Sequence, residues 1–61
     1  MEFTLELLPN GLIRIVHRAS GLSALYTLAG IYRSGDLHCE QSALAVKKFV
    51  EVFRYANEDR R

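Results

Sequence analysis

The sequence predicts an α+β domain: an antiparallel β-meander of three to four strands followed by one C-terminal amphipathic α-helix packed on one face, in ββββα or βββα order. Three observations carry this expectation. Apolar and polar residues alternate through much of the first half of the chain, the period of a half-buried strand. Turn signals recur at Pro9-Asn10-Gly11, Ala19-Ser20-Gly21 and Ala29-Gly30, where glycine and its neighbours supply the dihedrals that hairpins require. From Glu40 onward the apolar spacing becomes helical. Residues 1–39 are read as the meander, 40–58 as the helix and 59–61 as a frayed tail.

The first hairpin can be solved in register. Pro9 presets φ for the first position of a type I turn, Asn10 suits the second and Gly11 the left-handed third. The resulting three-residue loop sets Leu7 opposite Ile13, Leu5 opposite Ile15 and Phe3 opposite His17 on one face. Glu6 then lies opposite Arg14, and Glu2 opposite Arg18, on the other. A loop one residue shorter would set Leu7 against Arg14 and mix the two faces, so the first register is preferred.

With Ser20-Gly21 as the next loop, His17 faces Ala24, Ile15 faces Tyr26 and Ile13 faces Leu28, all on the inward side. Thr27 joins Arg14 on the outer side, and Ser23 joins Arg18. A competing reading coils residues 23–32 into a short helix striped by Leu22, Leu25, Leu28 or Ala29, and Tyr32. Gly30 and the β-favouring tyrosine, threonine and isoleucine content oppose it. Residues 31–39 form the fourth strand, with a bulge or tight bend at Ser34-Gly35-Asp36. The alternative ends that strand near Arg33 and uses Asp36 as a helix cap.

In the helix, Ala45, Phe49, Val52 and Ala56 form the inward stripe, and Lys47, Glu51, Arg54 and Glu58 the charged one opposite. Val46, Val50 and Phe53 widen the apolar arc to roughly 160° at ~100° per residue, with Leu44 and Tyr55 on the other flank. That arc exceeds what contact with one small sheet requires. Val46, Val50 and Tyr55 are therefore the expected homodimer interface.

Sixty-one residues make one domain, and a chain so short buries only ~60% of its unfolded surface. Yet 49% of the residues are hydrophobic, which points to self-association or docking on a protein partner. A net charge of +1 argues against bulk electrostatic attraction to nucleic acid or to an anionic membrane. The lone Cys39 cannot form an intrachain disulfide, which suits a reducing cytoplasm. Glu2 and Glu6 interrupt any signal-peptide pattern, and the chain reads as a complete small gene product. No apolar run approaches the ~20 residues of a membrane span.

Candidate chemistry is sparse. His38, Cys39 and Glu40 are adjacent, but neighbours on a strand point to opposite faces. A zinc site needs about four ligands, and His17 is the other histidine available. Cys39 reads as a small buried hydrophobe at the sheet–helix junction and His17 as a half-buried rim residue. No phosphate-binding glycine motif is present. The expectation is no enzyme, no metal and no cofactor.

The segments Phe3-Thr4-Leu5-Glu6-Leu7, Pro9-Asn10-Gly11, Tyr32-Arg33-Ser34-Gly35-Asp36-Leu37 and the helical run 43–53 span nearly the whole chain. In this architecture the chain resembles small proteins encoded by phages and other mobile elements, the anti-CRISPR proteins among them. The resemblance carries no residue motif. It implies a non-enzymatic inhibitor that occludes a host protein complex, and the near-neutral charge departs from the acidic DNA mimics of that group. The residues expected to contact a partner are Arg14, Val16, Arg18, Leu25, Tyr32 and Arg33 on the open sheet face. The alternative is a small nucleic-acid-binding regulator using the same arginines with Tyr32 as a stacking platform.

Overall fold

The computed structural model describes residues 2–58, with side chains through residue 55. The tail expected at 59–61 lies outside the described residues, and Ala56 and Glu58 lie outside the described side chains. Strands β1 (Phe3–Leu7), β2 (Ile13–His17), β3 (Ser23–Tyr26) and β4 (Tyr32–Gly35) precede helix α1 (Glu40–Glu58). The strands form one antiparallel sheet in the order β1-β2-β3-β4. Residues 23–32 are not helical, so the competing helix is excluded.

The β1–β2 register pairs Phe3 with His17, Leu5 with Ile15 and Leu7 with Ile13, as the turn chemistry predicts. The Leu8 N–H donates to the Leu12 carbonyl at 2.8 Å and the Gly11 N–H to the Leu8 carbonyl at 3.0 Å. Gly11 takes the positive φ of 85° that this loop demands. The third turn repeats the design with different residues. Thr27 N–H donates to the Ile31 carbonyl at 2.8 Å and Gly30 N–H to the Thr27 carbonyl at 2.9 Å.

The second turn differs from expectation. His17 N–H donates to the Leu22 carbonyl and Gly21 N–H to the His17 carbonyl, each at 2.8 Å, so residues 18–21 form a four-residue loop. His17 Nδ1 and Ser20 Oγ lie 2.7 Å apart and clamp it. The register therefore slips by two: Ile13 pairs with Tyr26 and Ile15 with Ala24, not with Leu28 and Tyr26. Because side chains alternate with period two, this slip preserves the faces. Ala24 and Tyr26 remain buried, whereas Leu28 moves off the sheet and is exposed.

A bulge lies where β3 meets β4. Leu25 pairs with Ser34 and Tyr26 with Tyr32, which leaves Arg33 as the extra residue. Tyr32 lies on the turn side of the bulge, opposite the inward Tyr26, and so faces inward, where its ring meets the edge of Tyr26 at 5.8 Å and stacks on His38 at 3.9 Å. β4 ends at Gly35 instead of running on to Cys39. Gly35 has φ +110°, and a Cβ there would lie 2.5 Å from the Ala24 Cα. Close backbone approach and dihedral both require glycine at this position.

The helix cap is Cys39, not Asp36. The Cys39 carbonyl accepts the first helical bond, from Ala43 N–H at 3.1 Å, and the Cys39 N–H donates to Ser42 Oγ at 3.1 Å. Contrary to expectation Cys39 is exposed. Ser42, Val46 and Val50 form the buried stripe of α1, with Ala43, Ala45 and Phe49 partly buried beside them. The helix is thus rotated by about one residue from the stripe read in sequence, and Val52 faces out.

The core consists of Ile13, Ile15, Ala24, Tyr26, Leu37, Val46 and Val50. Full burial of a large apolar side chain is worth about 1.5–3 kcal/mol, so a core this small leaves stability sensitive to single contacts. Gly35→Ala is expected to cost about 3 kcal/mol, read as a fall in the urea midpoint. Ser34→Ala on the same strand is expected to stay within ~0.5 kcal/mol of the parent. Equal stability of the two variants would refute the close approach.

Candidate protein-interaction surface

Strand parity places Thr4, Glu6, Arg14, Val16, Ser23, Leu25 and Ser34 on the face away from α1. Arg14 pairs with Leu25, and Val16 lies between Thr4 and Ser23. Leu8, Arg14, Leu25, Ser34 and Gly35 line a shallow depression of about 390 Å³ on that side. Its floor is aliphatic and its rim carries hydroxyls and a guanidinium, a mixture typical of binding patches.

Arg14 Nε lies 3.6 Å from Glu6 Oε1, with both side chains more than half exposed at 54% and 57%. Such a pair contributes about 0–1 kcal/mol, so little is lost when a partner displaces it. Arg18 and Arg33 are exposed, Arg18 in the second turn and Arg33 at the bulge. The structure therefore brings Arg14, Val16 and Leu25 together and leaves Arg18 and Arg33 at the periphery. Tyr32 is not part of this face. Its ring lies inward, and its hydroxyl donates to the Gly35 carbonyl at 2.6 Å.

The residues expected at a dimer interface also separate. Val46 is fully buried and Val50 nearly so, beneath the sheet of a single copy, so neither can meet a second molecule. Tyr55 is 69% exposed, and Leu44 and Val52 share its side of α1. Sequence reasoning placed Leu44 with Tyr55 on the flank of the apolar arc but put Val52 in the inward stripe, and so missed Val52 as a surface residue. The signal was the spacing of Leu44, Val52 and Tyr55 at i, i+8 and i+11, a second helical stripe distinct from the core one. Leu22, Leu28 and Ile31, in or beside turns, add further exposed aliphatics.

A second concavity, about 420 Å³, lies between α1 and β1. Phe3 and Leu5 form one wall, Ala45, Phe49 and Val52 the other, and Glu2 and Lys48 stand at its rim. Glu2 and Phe3 lie beside Gln41 and Leu44 as well. Leu5, Phe49 and Val52 line one concavity, and Phe3, Leu5 and Phe49 also pack against the core.

The titratable cluster at the helix start does not converge on a reacting centre. His38 stacks on Tyr32, while Cys39 caps the helix. Among the described residues no three of His, Cys, Asp and Glu are grouped to hold a metal ion. Among them, too, no helix is long and apolar enough to cross a membrane. The Cys39 thiol is held below its ordinary pKa, first by the Ser42 hydroxyl 3.6 Å away and then by the Ser42 backbone. Partial desolvation opposes the shift, and the Gln41 backbone assists it.

Iodoacetamide is accordingly expected to alkylate folded Cys39 with a pH midpoint below that of the same thiol in urea. Ser42→Ala is expected to return the midpoint toward the unfolded value and to cost about 2 kcal/mol, since buried bonds are lost with it. Identical midpoints in folded and unfolded chains would remove the assigned cause. Comparison with protein-family models, characterised proteins and solved structures finds no match for this chain.

Proposed function

We propose that the chain is a non-enzymatic protein-binding module that occludes a surface of a larger complex, in the manner of phage or mobile-element inhibitors of the anti-CRISPR kind. The outer sheet face is the contact, with Arg14, Val16 and Leu25 at its centre and Arg18 and Arg33 at its margins. The observation that supports this reading is the inward position of Tyr32, which leaves the outer face, among the described residues of the strands, with Val16 and Leu25 amid polar groups and no aromatic ring. An aliphatic floor with a polar rim suits a protein surface, whereas single-stranded nucleic acid needs aromatic platforms. The net charge of +1 supports the same choice. A cytoplasmic setting accords with the single exposed thiol.

The expected result is that immobilised chain retains a bacterial host protein, and that Leu25→Lys or Arg14→Glu each lowers retention at least tenfold with unchanged circular dichroism. Electrophoretic mobility of DNA and RNA is expected to remain unshifted at low salt. A shift that weakens steeply with salt and is lost in Arg14→Ala would replace this reading with nucleic-acid binding, because phosphate contacts release counterions.

A further inference from the structure

The two edges of the sheet differ in a way that bears on assembly. β4 is short, bulged at Arg33 and ends on Gly35, features that discourage strand addition. β1 is five residues long, regularly paired along its whole length, and carries neither proline nor lysine. β1 has β2 on one side only.

The direction of its free backbone groups follows from the ladder. Arg18 N–H donates to the Glu2 carbonyl and Leu8 N–H to the Leu12 carbonyl. The hydrogen-bonded pairs with β2 are therefore those of Glu2, Thr4, Glu6 and Leu8. The N–H and C=O groups of Phe3, Leu5 and Leu7 point to the open edge. The side chains of Phe3 and Leu5 lie in the groove beside α1, on the same edge of the molecule.

We propose that this edge is filled by a second copy of the chain, β1 pairing antiparallel with β1 about a two-fold axis at Leu5. Four strands from each copy then form one continuous sheet. The register follows from charge and length. Antiparallel bonding between two such edges requires odd residues opposite odd residues. With Leu5 opposite its own counterpart, Phe3 meets Leu7 and Thr4 meets Glu6 of the second copy, and all five residues of β1 are paired. Moving by one step either way sets Glu2 against Glu6, or Glu6 against Glu6, at directly opposed positions, and like charges there are destabilising. The sequence Phe-Thr-Leu-Glu-Leu is thus self-complementary in one register. In that register the two apolar grooves meet across the axis, and Phe49 and Val52 of both helices flank a shared trough. The contact is isologous and closes on itself, as a two-fold interface must. It is independent of the outer-face reading, which stands or falls on Leu25 and Arg14.

Sedimentation equilibrium is expected to show a dimer. Thr4 is exposed on the outer face, so its replacement leaves the core intact. Thr4→Glu sets a carboxylate opposite Glu6 twice per dimer and should weaken association at least tenfold at low salt, whereas Thr4→Lys should tighten it. In a Cys39→Ser background, mixing Thr4→Cys copies with Glu6→Cys copies should give a disulfide-linked heterodimer on oxidation, and neither variant alone should cross-link. A monomer at every concentration, equal association of the Thr4→Glu and Thr4→Lys chains, or cross-linking within a single variant would overturn the proposal. So would a chain that stays monomeric by itself and takes a foreign peptide strand on β1.

Discussion

Ser42 is the buried polar side chain on which sheet and helix meet, and the rest of the molecule is arranged around satisfying it. Its hydroxyl lies 2.8 Å from the Tyr26 hydroxyl and 2.8 Å from the Cys39 carbonyl, and it accepts the Cys39 N–H. Tyr26 is itself 1% exposed, so its phenol has no access to water as a substitute partner. Leaving either hydroxyl unpaired would cost about 1–3 kcal/mol, a large share of what so small a core can supply. The pairing fixes the rotation of α1. Once Ser42 points into the sheet, Val46 and Val50 follow one and two turns later, and both are buried.

That rotation has consequences at the surface. α1 is nineteen residues long, about 28 Å at 1.5 Å per residue, while the strands it crosses have four or five residues. The helix outruns its sheet, and every described side chain from Glu51 onward is exposed. Phe53 is therefore outside because the sheet ends, although it shares the angular position of the core stripe, whereas Val52 and Tyr55 lie on the outward side of the helix with Leu44. Apolar surface left over in this way, together with an unguarded β1 edge, explains how a composition rich in hydrophobic residues coexists with a core of seven side chains.

Much of this was legible in the residues, for reasons that differ from element to element. Pro9-Asn10-Gly11 admits one turn geometry, so the first hairpin could be read to the residue pair. Arg14, Val16 and Leu25 could be placed on one face because parity survives a slip of two, even though the second turn was one of four residues. That loop length rests on the His17–Ser20 contact, a side-chain bond that backbone propensities do not encode. Tyr32 was misplaced because the third turn has three residues, 28–30, where Ala29-Gly30 reads as a two-residue loop, and a change of one residue in loop length moves Tyr32 from opposite Thr27 to opposite Tyr26. Val46 and Val50 were assigned to the outside because the apolar arc was too wide to indicate its own centre.

Alternation, turn chemistry and a change of period are local properties, and they alone determined an antiparallel meander, its order of strands, its inward face and the existence and extent of the helix. The location of the bulge, the rotation of the helix and the end at which it overhangs were decided only in three dimensions. Each depends on contacts between segments remote in sequence: Gly35 against Ala24, Ser42 against Tyr26, Phe49 and Leu5 against one core. The physical reason is that a stripe or a strand specifies which of its sides is apolar, while the partner that side meets is set by volume and hydrogen-bond satisfaction in the assembled core.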